Sequence, residues 1–210
     1  MITTPLTSQL TFEKFLSQLP DEEGYYELVN GEIIRKLPTR RHEDLADFIL
    51  RQFDKEVERL QLNYRVSGRI VIKTETAQGQ EQGRHPDITV VDKTLWEAQP
   101  TAYSALLEPP QLVVEIVSTN WEDDYLDKLE EYQRLGIPEY WIVDYLAVAS
   151  RSYLGNPKLL TVFVCVLDEN KTYQMNRYQG SDTPDGTLRE RIISPTFPEF
   201  ALTVEELLTH

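Results

Sequence analysis

The sequence predicts one α/β (α+β) domain over residues 1–210. Three observations carry that expectation. Apolar runs of strand length, such as "RIVIKT", "DITVV" and "LVVEIVS", recur along the chain between segments of helical spacing. One of those segments, "RRHEDLADFILRQFDKEVERLQL", is long and amphipathic. No repeat, low-complexity tract or obvious linker divides the chain.

The elements follow in order. "LTFEKFLSQLP" has Thr11 as a helix N-cap and ends at Pro20. In "YYELVNGEIIRKL", Asn30-Gly31 lies between two apolar-rich runs, which predicts a hairpin with a type I′ turn. The long helix comes next, with Leu45, Phe48, Ile49, Phe53, Val57 and Leu60 in one stripe. Strands are expected at "YRVSG", "RIVIKT" and "PDITVVD", with a polar Gln/Gly loop at 77–84 before the last. A proline-bearing loop leads to the strand "QLVVEIVS". A helix from about Glu122 to Leu135 stops at Gly136 and Pro138. "EYWIVDY", "LLTVFVCVLD", "KTYQMNRYQ" and "LRERIIS" read as strands, and "TVEELLT" as a closing helix.

Composition narrows the function. The chain is 40% hydrophobic, enough for a substantial core, and no apolar run approaches the roughly 18 residues of a membrane span. "MITTPLTSQLTFEKF" has neither a basic nor an apolar leader region, so a cytoplasmic location is expected. Cys165 is alone in an apolar strand, which makes it a small buried hydrophobe, and His42, His85 and His210 have no zinc-site spacing. The net charge of −14 repels nucleic acid as a whole. Any phosphate chemistry must rest on a local basic patch or on metal ions.

Two acids stand out. Along "LVVEIVS", Val113, Glu115 and Val117 face one side and Val114 and Ile116 the other, so both faces are apolar and the strand is central. A carboxylate there costs several kcal/mol, of order 2–7 for a polar group, unless it is paired, neutralised or bound to metal. Asp87 follows Pro86 at the start of another strand, where capping the local backbone is the plainer role. Thirteen residues beyond Glu115, Lys128 lies on the following helix, about 9 Å along its axis at 1.5 Å per residue, within reach of the strand end. Alone it reads as a surface pair with Asp124. Together, two acids at adjacent strand ends with a lysine in reach suit a hard-metal site of the Mg²⁺ type.

These residues resemble the PD-(D/E)xK nuclease superfamily and, more fully, the Uma2 (DUF820) family of endonuclease-like proteins. The matching positions are Tyr26-Glu27-Leu28 with Gly31-Glu32, His42, Pro86-Asp87, and Val114-Glu115-Ile116-Val117-Ser118. They continue through Asp124, Lys128, Tyr132, Gly136, Glu139-Tyr140-Trp141 and Asp144. The resemblance covers roughly residues 10–200. It implies a restriction-endonuclease-like core: a mixed central sheet flanked by helices, with additional antiparallel strands. One departure matters. The superfamily's lysine sits two residues after the acid, and here that position is Val117. The resemblance implies that Lys128 replaces it in space.

On this reading Asp87 and Glu115 ligate Mg²⁺ or Mn²⁺, with the Ile116 carbonyl assisting. Lys128 orients the attacking water and offsets phosphate charge. Glu27 is a further ligand or base, and His42, Ser118 and Asp124 support. The substrate is nucleic acid, with DNA the first expectation, and a homodimer is expected because it suits two antiparallel strands. A basic run, Arg35, Lys36, Arg40 and Arg41, with Arg65, Arg69 and Lys73 further on, is a candidate nucleic-acid contact or simply a solvated rim. His85 is a phosphate contact or a loop residue, and Tyr140, Trp141 and Tyr145 are core-packing residues or base-stacking ones. Two other function classes compete: a catalytically silent binding module on the same fold, and a carboxylate-pair glycosidase.

Overall fold

The computed structural model describes residues 10–20, 22–180 and 191–209. Helix α1 (Phe12–Ser17) is capped by Thr11, whose side chain accepts from the Lys14 N–H. Strands β1 (Tyr25–Val29) and β2 (Glu32–Lys36) form a hairpin whose turn residues, Asn30 and Gly31, have φ of 52° and 83°. Two consecutive positive φ values are what a type I′ turn requires. Helix α2 (Arg40–Leu60) starts at a Thr39 cap and buries Leu45, Ile49, Phe53 and Val57. Then come β3 (Tyr64–Ser67), β4 (Val71–Glu75), β5 (Glu81–Arg84), β6 (Ile88–Asp92), α3 (Lys93–Glu97), β7 (Ala105–Leu106) and β8 (Leu112–Ile116). A helical segment from Trp121 passes through a π-helical turn, Asp123–Asp127, into α4 (Lys128–Leu135). It ends at Gly136, whose φ of 91° places it in the left-handed region. The described chain closes with β9 (Glu139–Asp144), α5 (Arg151–Leu154), β10 (Thr161–Leu167), β11 (Tyr173–Gln179) and α6 (Val204–Leu208).

The strands form two mixed sheets flanked by helices, where the sequence suggested one central sheet. One has the order β2-β1-β5-β4-β7, the other β11-β10-β9-β8-β6-β3. The two parallel pairs are β8 with β9 and β4 with β7. Strand β8 lies inside the six-stranded sheet, between β6 and β9. Its alternation sorts two cores. Val114 and Ile116 pack with Leu45, Ile49 and Phe53 of α2, and Val113 and Val117 pack with Tyr125 and Tyr132 of the helical segment on the other face. Glu115 therefore points at that second helix.

Three differences from expectation have physical causes. Residues 81–84, expected to be loop, are strand β5, because β4 pairs with them over four positions and β1 at Gly83. Gly83 makes the fit possible: a Cβ there would meet the Phe15 ring at 3.1 Å and Leu28 at 3.2 Å, so α1 packs directly on bare backbone. The short elements α3, α5 and β7 were not anticipated, being too brief for periodicity to mark. The strand expected over 188–194 lies partly outside the described residues, and its described part makes a single bridge, Arg191 to Thr203. Cys165 is buried in β10, and Tyr140 and Trp141 are core residues of β9. Among the described residues, no helix is long and apolar enough to cross a membrane.

Candidate active site at the seam of the two sheets

Strand β5 belongs to one sheet and β6 to the other, and His85-Pro86-Asp87 is the link between them. Asp87 sits just ahead of β6. The antiparallel register pairs Ile88 with Val114, so Asp87 stands level with Glu115 on the neighbouring strand. Asp87 Oδ2 accepts the Ile116 N–H at 2.7 Å, which locks the acid onto the end of β8. Its Oδ1 lies 2.9 Å from Nε2 of His42, held in the first turn of α2.

Glu27 arrives from β1. Its carboxylate accepts the His85 N–H at 3.1 Å and lies 3.3 Å from Lys36 Nζ. Lys36 also lies 3.6 Å from Glu115 Oε2. The hairpin register explains this meeting. Tyr25 pairs with Lys36 and Glu27 with Ile34, so Glu27 and Lys36 share one face, while Arg35 turns to the other and pairs with Glu22.

Lys128 closes the site from α4. Its Nζ lies 2.9 Å from Glu115 Oε2 and 2.8 Å from Asp124 Oδ1, with Asp123 at 3.8 Å and Glu27 at 3.9 Å. Tyr132, one helical turn on, donates its hydroxyl to Glu115 Oε1 at 2.6 Å. Arg84 forms a bidentate pair with Glu131 at 2.7 and 2.8 Å, and Thr74 donates to the same carboxylate at 2.6 Å. Arg84 also lies 3.2 Å from Asp123 and 3.7 Å from Glu27.

The electrostatics follow from an excess of acid. Among the described residues, Glu27, Asp87, Glu115, Asp123, Asp124 and Glu131 are opposed by three permanent cations, Lys36, Lys128 and Arg84. Burial pushes Glu115 up to about 7, against the pull of Lys128 and Lys36. Burial raises Asp124 too, with Lys128 opposing it. Asp87 goes the other way: burial would raise it, but Lys36, His42 and the Ile116 N–H hold it well below the usual carboxylate range. Burial is likewise outweighed at Glu27, which Lys36, Lys128 and Arg84 lower to about 2. Burial favours neutral His42, yet the Asp87 carboxylate beside it raises it. His85 falls to about 4 through burial and the Lys36 charge.

Asp87, Glu115, Ile116, Lys128, Glu27, His42 and Asp124 are thus gathered in one place. Ser118 is exposed beyond the end of β8 and forms no side-chain hydrogen bond among the described residues. The basic run is split up by strand alternation and local pairing. Lys36 points into the site, Arg35 pairs with Glu22, Arg40 is exposed, and Arg41 donates to the Leu207 carbonyl. Arg65 lies over Trp96, Arg69 over Tyr25, and Lys73 pairs with Glu81. No local sequence pattern marks Arg84 and Glu131 as partners. The charge of Lys36 alone suggests a surface cation, although the Asn30-Gly31 turn and the two-residue period of "EIIRK" place it beside Glu27. A cleft of about 180 Å³, walled by Tyr25, Glu43, Leu50, Gly68 and Arg69, opens beside Asp87.

A mixed sheet with two acids level across adjacent strand ends, faced by a lysine on the following helix, is a restriction-endonuclease-like fold. The chain belongs to the Uma2 family, described as "Putative restriction endonuclease", which it matches over residues 12–205. It is similar to the crystal structure of "a putative nuclease belonging to DUF820" from Anabaena variabilis ATCC 29413. The TM-score is 0.66 and the identity 18%, over 95% of this chain and 98% of that one. No curated protein matches the chain.

Proposed function

We propose that this protein is a Mg²⁺- or Mn²⁺-dependent endonuclease that hydrolyses phosphodiester bonds in nucleic acid, with DNA the first candidate substrate. The observation that carries the reading is the acid surplus at the seam. Carboxylates outnumber permanent cations, and one of them, Glu115, is forced toward its neutral form by burial. Glu115 Oε2 accepts no well-aligned hydrogen bond despite two nearby ammonium groups. Among the described residues no three His, Cys, Asp or Glu side chains are grouped as a ready metal cage. Mg²⁺ asks for less than that, one or two carboxylates with water and substrate phosphate completing its shell. Asp87, Glu115 and the Ile116 carbonyl would offer such an ion an all-oxygen donor set.

The bound ion would supply Lewis acidity and an activated water. The chain's own residues do the rest. The Ile116 N–H and His42 fix the direction of Asp87, and Tyr132 fixes Glu115. Lys128 and Asp124 set the charge behind Glu115. Glu27 anchors Lys36 and the His85 backbone at the seam. A homodimer would present two such seams to the antiparallel strands of a duplex.

The test is cleavage of plasmid, single-stranded DNA and RNA with Mg²⁺ or Mn²⁺, by wild type, Asp87→Asn and Glu115→Gln. The reading requires metal-dependent cutting that both variants lose by at least about 10²-fold, as when a charge-stabilising group is removed. Wild type that binds nucleic acid but never cuts it would point instead to a silent binding module.

A further inference from the structure

Two lysines enter the site, and the structure treats them differently. Lys128 is 2% exposed in its side chain and enclosed by the carboxylates of Glu115, Asp124, Asp123 and Glu27. To touch a substrate it would have to leave all four. Lys36 is 26% exposed and lies on β2, the edge strand of its sheet. Its contacts with Glu27 and Glu115 are ion pairs at 3.3 and 3.6 Å, and among the described residues its ammonium makes no hydrogen bond. It is therefore the more loosely held and the more exposed of the two cations. Asp87 and Asp123, 13% and 25% exposed in their side chains, also reach solvent.

We propose that Lys36, not Lys128, is the lysine that meets the scissile phosphate, donating hydrogen bonds to its non-bridging oxygens. This rests on the endonuclease reading above. Lys36 transfers no proton in this role. It counters the charge that builds on the phosphoryl oxygens as water attacks. Its long stem lets the ammonium pivot from the Glu27–Glu115 edge toward a phosphate arriving beside Asp87. The hairpin turn at Asn30-Gly31 sets the register that aims it there. A lysine on a different strand thus does what a lysine two residues past Glu115 would do, at the position Val117 occupies inside the apolar core.

The experiment compares wild type, Lys36→Met, Lys36→Arg and Lys128→Met by titrating a fluorescent DNA duplex of about 20 base pairs over a salt series, with Ca²⁺ present. Cleavage of the same DNA is then measured with Mg²⁺. Each phosphate neutralised contributes about 0.9 to the slope of log affinity against log salt. Lys36→Met should lower that slope by about one, and Lys36→Arg should restore it. Lys128→Met, checked for folding by circular dichroism, should leave the slope unchanged. Cleavage should fall by about 10²-fold or more in Lys36→Met. If wild type binds and cuts but Lys36→Met keeps the wild-type slope and rate, the proposal is overturned and the endonuclease reading stands. If Lys128→Met rather than Lys36→Met loses the slope, the roles are reversed and the proposal fails. If wild type neither binds nor cuts, the endonuclease reading falls and takes the proposal with it.

Discussion

Replacing Lys128 by methionine keeps an apolar stem of similar length and removes one buried charge. Its two closest partners, Asp124 at 2.8 Å and Glu115 at 2.9 Å, are then left without their nearest counterion. Removing one partner of a buried pair costs roughly 3–5 kcal/mol, because the other charge remains desolvated. Two features lower that figure here. Lys36 stays 3.6 Å from Glu115, and a carboxyl already pushed up to about 7 by burial can take a proton instead of staying charged. The loss should therefore be about 3 kcal/mol at pH 8 and about half that at pH 5. The sign follows from linkage. Without Lys128 the folded-state values of Glu115 and Asp124 rise further above those of the unfolded chain. At these two groups the folded variant then binds more protons than the unfolded one, so the stability they contribute is greatest at low pH and is lost as pH rises through the raised folded values. Contributions from His42 and His85 are common to both proteins and cancel in the difference. Urea unfolding of both at pH 5 and pH 8 reads this directly. With a slope near 2 kcal/mol/M, the midpoint should fall by about 1.5 M at pH 8. A loss below about 1 kcal/mol at pH 8, or one equal at both pH values, would refute the claim that Lys128 is there to balance buried acids.

Other expectations follow from the same geometry. Arg84→Met breaks a bidentate buried pair with Glu131 and should cost about 3–5 kcal/mol in urea unfolding, whereas Arg35→Met on the exposed face should cost less than about 1 kcal/mol. Gly31→Val puts a β-branched residue at a φ of 83° and should destabilise the hairpin by roughly 1–3 kcal/mol, read as a lower thermal midpoint. Gly136→Ala, at a φ of 91°, should cost roughly 1–2 kcal/mol by the same measurement.

Much of this was legible in the sequence because strong local rules were at work. The Asn30-Gly31 turn, the stripe of α2 and the two-sided apolar run around Glu115 each follow from one periodicity or one turn chemistry, and each holds in the structure. Strand alternation put Glu115 on the opposite face from Val114 and Ile116, and that face is where the second helix packs. The illegible parts depend on tertiary pairing. Strand β5 is "EQGR", polar and glycine-bearing, and it is a strand because β1 and β4 flank it. The Arg84–Glu131 pair joins residues 47 apart, which no local pattern marks. Lys36 lay between these cases. Its charge suggested a surface patch, while hairpin register and strand period together put it on the Glu27 face.

The seam between the sheets carries more acid than the cations beside it balance, and we propose that a divalent ion makes up the difference. Calorimetric titration of Mn²⁺ into wild type and into Asp87→Asn, both confirmed as folded, tests it most directly. Wild type should bind saturably and the variant at least about tenfold more weakly, the effect of removing a group that ligates or orients a metal. Equal binding by both proteins, or none by wild type, would contradict it.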